Sequence, residues 1–198
     1  MKQLHKVLII LIVLLCLPSL IVSAESFSPE YPPSIDVSFS EFSNNYDYYK
    51  SLSKNYGYII YIDCTPEETS AMQSLFVDNA AGVDNLVATN NSRSIYVPTT
   101  YWNVATQGAR EVNGASAKET LYTSKKFYGS TSYEIVIQNL NAETLQFQSH
   151  DAAQDIVALV RAGKTAYTTI STDSTAQADS FYLSFNAPCA VYGYIGSA

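Results

Sequence analysis

His150 stands next to Asp151, and this pair comes nearest to an acid–base device anywhere in the sequence. A histidine that titrates near neutrality can take up a proton, and a carboxylate can orient it. Neighbours on a strand point to opposite faces, however, so the two side chains meet only in a turn, and a polar turn closing a strand accounts for both. The chain has no Gly-x-Ser-x-Gly elbow for a serine nucleophile and no Gly-rich phosphate loop. With His150 the one histidine beyond the N-terminal run, a zinc site of the two-histidine hydrolytic kind is excluded. The 18 Asp and Glu make some pair at glycosidase separation a matter of number alone. Glu67 and Glu68 fit the first turn of a helix. Asp173 and Asp179 flank a Ser/Thr-rich turn without the dense Asp/Asn/Gly spacing of a calcium loop. Asn90-Asn91-Ser92 is a glycosylation sequon, which matters only in a eukaryotic host. No catalytic residue, metal or cofactor is assigned, and the protein is expected not to be an enzyme.

The residue in excess is tyrosine, 16 in all, with Tyr46, Tyr48 and Tyr49, then Tyr56, Tyr58 and Tyr61, then Tyr96, Tyr101 and Trp102 in clusters. Tyr and Trp offer a flat apolar face with a polar edge, which suits stacking on sugars or gripping an extended peptide. Tyr is also a favoured strand residue, so many of these rings are expected in the core or in cross-strand pairs. The expected ligand-binding face is Tyr96, Tyr101 and Trp102. Trp102 lies close behind Pro98 in a segment poor in other core-forming residues, which suggests a rim position.

Compartment follows from the first residues. Lys2 and Lys6 precede an apolar run, Val7–Val22, and Val22, Ser23 and Ala24 supply small residues where a signal peptidase cuts, so cleavage is expected between Ala24 and Glu25. As a helix the run would rise only about 24 Å, short of a hydrocarbon core of about 30 Å, and Pro18 interrupts it, which argues against an uncleaved anchor. Leu15 before Cys16 is too large for lipid attachment. A secreted or cell-surface protein with no membrane span after cleavage is the expectation. Of 11 basic residues, Lys2 and Lys6 leave with the peptide, so 9 remain against 18 acidic ones, a net charge of −9. Such a surface repels nucleic acid and anionic membrane. Cys64 and Cys189 survive cleavage, and in an exported chain they are expected to form one disulfide, with two free thiols or a metal site as alternatives.

Positioning these residues requires the following elements. After the signal peptide (1–24) comes an extended, proline-rich lead-in (25–35), and then a single domain (36–198). Phe39, Phe42, Tyr46, Tyr49 and Leu52 recur on one helical face, with Ser38 and Glu41 as a capping box and Gly57 past the end, which predicts a helix near 39–53. Tyr58, Ile60, Ile62 and Cys64 share one strand face. Thr65-Pro66-Glu67-Glu68 opens a second helix with Met72, Leu75 and Phe76 as its buried stripe. Short strands are expected at 94–97 and 101–106, a surface loop at 107–116, and a strand at 121–128. Strands at 133–138 and 144–148 are joined by a hairpin turn at 139–142, and strands at 156–160 and 165–170 by a second hairpin at 161–164. Residues 152–163 also fit a helical stripe, but their β-branched content favours strands. Strand faces at Phe181, Leu183, Phe185 and at Cys189, Val191, Ile195 complete the chain.

Together these predict a mainly β fold, an antiparallel β-sandwich with one or two short helices in the N-terminal half, with α+β as the alternative. The functional expectation is an exported, non-enzymatic domain that binds an envelope or extracellular component, a glycan or an exported protein. A self-associating structural subunit of an envelope or matrix is the alternative. A secreted carboxylate-dependent hydrolase is the third reading.

Overall fold

A computed structural model describes residues 31–65, 67–68, 71–72, 82–85, 87–88 and 97–198. The expected signal peptide and its expected cleavage after Ala24, the first part of the expected lead-in, Leu75 and Phe76, the sequon at Asn90 and the expected binding residue Tyr96 lie outside the described residues.

The fold is mainly β, with helices in its N-terminal half. In chain order the elements are β1 (Ser34–Ser38), α1 (Phe39–Asn44), α2 (Tyr46–Tyr56), β2 (Ile59–Asp63), β3 (Gly82–Asn85), β4 (Val87–Ala88), β5 (Tyr101–Asn103) and the helical turn α3 (Val104–Gln107). They continue with β6 (Arg110–Ser116), β7 (Leu121–Tyr122), β8 (Lys126–Tyr128), β9 (Ser132–Asn139), β10 (Leu145–His150), β11 (Val157–Val160), β12 (Lys164–Ser171), β13 (Tyr182–Phe185) and β14 (Cys189–Ser197). A seven-stranded sheet has the order β1-β2-β12-β9-β14-β6-β3, a five-stranded sheet the order β11-β10-β13-β7-β4, and β5 pairs with β8.

Strand alternation builds the core from both larger sheets. Tyr133, Ile135, Ile137, Val191 and Ile195 from the seven-stranded sheet join Leu145, Phe147, Ala158, Val160, Leu183 and Phe185 from the five-stranded one in a single buried cluster. The opposite face of the seven-stranded sheet carries a second cluster, in which Ile60, Ile62, Val136 and Tyr167 pack against Phe42 and Tyr49 of the two helices. Phe42 stacks on Tyr49 at 5.7 Å, and burying a ring of this kind contributes roughly 1.5–3 kcal/mol. The helices start and stop as their residues dictate. Ser38 Oγ accepts from the Glu41 amide at 3.2 Å, and Asn45 separates α1 from α2. Gly57, at φ 68°, closes α2 in the left-handed conformation that a Cβ would oppose. Thr65 and Glu68 cap each other reciprocally, the Glu68 amide on Thr65 Oγ1 and the Thr65 amide on Glu68 Oε2, as the sequence predicts.

A buried polar network fastens the helices to the sheet. Glu134, in the middle strand β9, receives the hydroxyls of Tyr46 and Tyr167, the second at 3.1 Å, and lies 3.1 Å from Lys50 Nζ. Burial, and then the Glu134 carboxylate, push the Tyr46 hydroxyl far above its ordinary pKa.

Several expectations are corrected. The sheets are not wholly antiparallel: β1 runs parallel to β2, β3 to β6 and β5 to β8. The chain leaves β1 through α1 and α2 before returning, and such a crossover brings the next strand back parallel. β1 also begins inside the expected lead-in. Residues 110–116, expected as a loop, form β6, because pairing with β14 along its whole length outweighs the poor strand propensity of Asn113 and Gly114. Neither expected hairpin exists. β9 and β10 belong to different sheets, as do β11 and β12, so both short connections cross from one sheet to the other. Asn139 fixes both crossings: its Nδ2 donates to the Glu143 carbonyl at 2.7 Å and the Val160 carbonyl at 2.9 Å. Its own carbonyl accepts from the Gly163 amide. Residues 157–160 are a strand, paired with β10.

Cys64 and Cys189 are free thiols rather than a disulfide. Cys64 packs with the cluster under the helices and Cys189 with the cluster between the sheets, so they lie on opposite faces. Their strands are three positions apart in the sheet, roughly 14 Å at about 4.8 Å per strand, beyond the roughly 7 Å that a disulfide spans between Cα atoms. Both being in phase with apolar faces did not mean the same face.

Candidate functional site

The outer face of the five-stranded sheet, extended by β5 and β8, gathers the chemistry-bearing side chains. Leu145, Phe147, Leu183 and Phe185 turn inward, so alternation turns Gln146, Gln148 and His150 of β10 and Tyr182 and Ser184 of β13 outward. Register then sets His150 beside Tyr182 and Gln148 beside Ser184, with Tyr122 of β7 on the far side of Ser184. Phe127 and Phe181 join β8 to the start of β13, and both rings are buried in the core. Lys126 and Tyr128 therefore face outward with Tyr182. β5 pairs Tyr101 with Lys126 and Asn103 with Tyr128. The result is a row across four neighbouring strands: Tyr101, Lys126, Tyr182, His150.

Contacts along the row are close. The His150 ring stacks on Tyr182, centroids 4.7 Å apart and planes 16° from parallel. His150 Nε2 is hydrogen-bonded to Ser184 Oγ at 2.8 Å. Lys126 Nζ sits 5.4 Å from the centre of the Tyr182 ring and 2.7 Å from Asp151 Oδ2. Tyr101 meets Tyr128 edge to face at 6.3 Å. Tyr182 is the floor of the row, 3% exposed, whereas Tyr101 is 40% exposed. The end of β8 closes tightly on β5. A Cβ on Gly129, at φ 97°, would fall 2.2 Å from Asn103 Oδ1. That oxygen is committed to the Ala105 and Thr106 amides at the start of α3, so only glycine fits.

Electrostatics separate the two residues that are neighbours in sequence. Burial pushes the His150 pKa below its ordinary value, against the opposing pull of Asp155 and Asp151, and so favours the neutral ring. Asp151, at φ 65°, turns its carboxylate to Lys126, and Asp155 accepts from the Ala152 amide at 3.2 Å. His150 and Asp151 thus have different partners. The face presents a Ser–His hydrogen bond, a closed Lys–Asp pair, neutral amides and tyrosine rings.

Of the expected binding residues, Tyr101 is in this row and Trp102 is not. As the next residue on the strand, Trp102 turns inward against the core; its Nε1 donates to the Gly108 carbonyl at 2.9 Å, and the Arg110 guanidinium lies 4.2 Å from its ring centre. Asp179 accepts from the Ser174 hydroxyl. Among the described residues no three His, Cys, Asp or Glu side chains come together as a metal site. Tyr122, Tyr128, Tyr182 and Ser184 carry no local mark of a site in the sequence. The alternation of Tyr182 and Ser184 with Phe181, Leu183 and Phe185 held the signal, since residues between buried ones face out.

No family model and no curated protein matches this chain. Among solved structures it is similar to a family GH115 4-O-methyl-α-glucuronidase with specificity for decorated arabinogalactans, at 14% identity and a TM-score of 0.31, over 57% of this chain and 19% of that one. The likeness thus spans about a fifth of that enzyme's length.

Proposed function

We propose that this is an exported, non-enzymatic domain that binds a component of the cell envelope or the extracellular space through the outer face of its five-stranded sheet. The observation that carries the reading is the row Tyr101–Lys126–Tyr182–His150, where aromatic faces and paired polar groups from four strands line up on one surface. Side chains locked by stacking and mutual hydrogen bonds lose little freedom when a ligand arrives, which favours binding. The signal-type N-terminus and the acidic composition support an extracytoplasmic setting. The Glu134 carboxylate, already committed to Tyr46, Tyr167 and Lys50, is a fastening for the helices rather than a reactive group.

The test is retention on insoluble envelope and extracellular-matrix fractions from the producing cells, comparing wild type with a Tyr101→Ala/His150→Ala double variant. Retention of the wild type and loss of at least about tenfold in the variant, equivalent to about 1.4 kcal/mol, is the expected result. Equal retention of the two proteins would remove the row from consideration as the binding surface.

A further inference from the structure

We infer that the ligand of this row is an extended, uncharged glycan, lying across the strands with a vicinal diol on the Lys126–Asp151 pair. The inference rests on the reading of the row as a binding surface and specifies what that surface takes.

The ion pair is the first ground. Lys126 Nζ and Asp151 Oδ2, 2.7 Å apart, set a donor beside an acceptor. The Asp151 side chain is 53% exposed, so the acceptor is within reach of solvent and ligand. A hydroxyl both donates and accepts, so two adjacent hydroxyls on a sugar ring match a donor and an acceptor held side by side. An anionic group would find the cation of the row already neutralised and Asp155 close by. The chain's excess of acidic residues adds further repulsion.

Rings at both ends are the second ground. The exposed Tyr101 and its partner Tyr128 lie at one end, and His150, braced on Tyr182, lies at the other. Flat aromatic faces receive the apolar C–H face of a sugar. From β5 to β10 the row crosses three strand spacings, roughly 14 Å, which is about the length of an extended trisaccharide.

Peptide is the weaker match. Strand addition runs along a free sheet edge, which in this row only β5 offers, whereas Lys126, Tyr182 and His150 lie on strands with a neighbour on each side and offer side chains. The Ser184 hydrogen bond and the burial that favours a neutral His150 ring agree with an uncharged ligand, because a neutral ring has one donor and one acceptor to share between Ser184 and a hydroxyl.

The test is calorimetric titration of the exported protein with cellotriose, xylotriose, mannotriose and chitotriose, each alongside its disaccharide. Trigalacturonate and a panel of extended peptides complete the set. At least one neutral trisaccharide is expected to bind, about tenfold more tightly than its disaccharide, with Tyr101→Ala and Lys126→Gln each weakening it about tenfold. Circular dichroism of both variants checks that they remain folded. Tight binding of trigalacturonate or a peptide that Tyr101→Ala abolishes would overturn the glycan assignment and leave the surface standing. Binding of any probe that neither substitution alters would overturn the surface itself. Failure of every neutral trisaccharide to bind would overturn the inference.

Discussion

A cluster of tyrosine, lysine and a carboxylate gathers at the outer face of each of the two large sheets, yet the two faces differ in what lies above them. On the seven-stranded sheet, Tyr46, Tyr167 and Lys50 converge on one oxygen of Glu134 beneath α1 and α2. Burial, followed by the nearby carboxylate, pushes both phenols far from ionisation. On the five-stranded sheet, Tyr182, Lys126, Asp151 and His150 form a comparable set, but among the described residues no helix packs over it, and Asp151 and Tyr101 reach solvent. The first cluster uses its hydrogen-bonding capacity internally. The second leaves part of it available. Residue type therefore does not distinguish a structural fastening from the proposed binding surface; what lies above each cluster does.

Glu134→Ala should break the closed face hardest. It withdraws the acceptor shared by Tyr46, Tyr167 and Lys50, and losing a charged hydrogen-bond partner in a buried site costs about 3 kcal/mol. Urea unfolding monitored by circular dichroism should show this loss, and a variant as stable as wild type would mean the helices are held by apolar packing alone. On the open face, His150→Gln should cost only about 1 kcal/mol, chiefly the Ser184 hydrogen bond. That variant also sharpens the pH behaviour. Because folding lowers the His150 pKa, the unfolded chain binds the proton more readily. The stability that His150 contributes is complete above its ordinary value of about 6.5 and is lost as pH falls from there through the lower folded value. Wild type should therefore show a slope in this window that His150→Gln lacks, and identical slopes would show that His150 is as free to protonate as in the unfolded chain. Smallest of all, Tyr101→Ala should change stability by no more than about 0.5 kcal/mol, since its ring is exposed and meets Tyr128 edge to face. A larger drop in melting temperature would make Tyr101 part of the scaffold rather than the surface.

The period-two pattern by itself determined much of this protein. It marked Ile60, Ile62 and Cys64 as one face, Phe181, Leu183 and Phe185 as another, and Cys189, Val191 and Ile195 as a third, and each set packs together. Helix ends at Ser38, Gly57 and Thr65 were equally legible, because capping depends on residues within one turn. What the pattern could not carry was which face met which, or which strands were neighbours. The turns at 139–142 and 161–164 read as hairpins, but both cross between sheets at Asn139. Cys64 and Cys189 were each in phase with apolar residues and still lie on opposite sides of one sheet. The row itself joins residues 101, 126, 182 and 150, which no local signal links, and it separates Tyr101 from the adjacent Trp102. Alternation is a property of one strand and is written locally. Strand pairing depends on the free energy of the whole packed core, so only the tertiary structure could decide it.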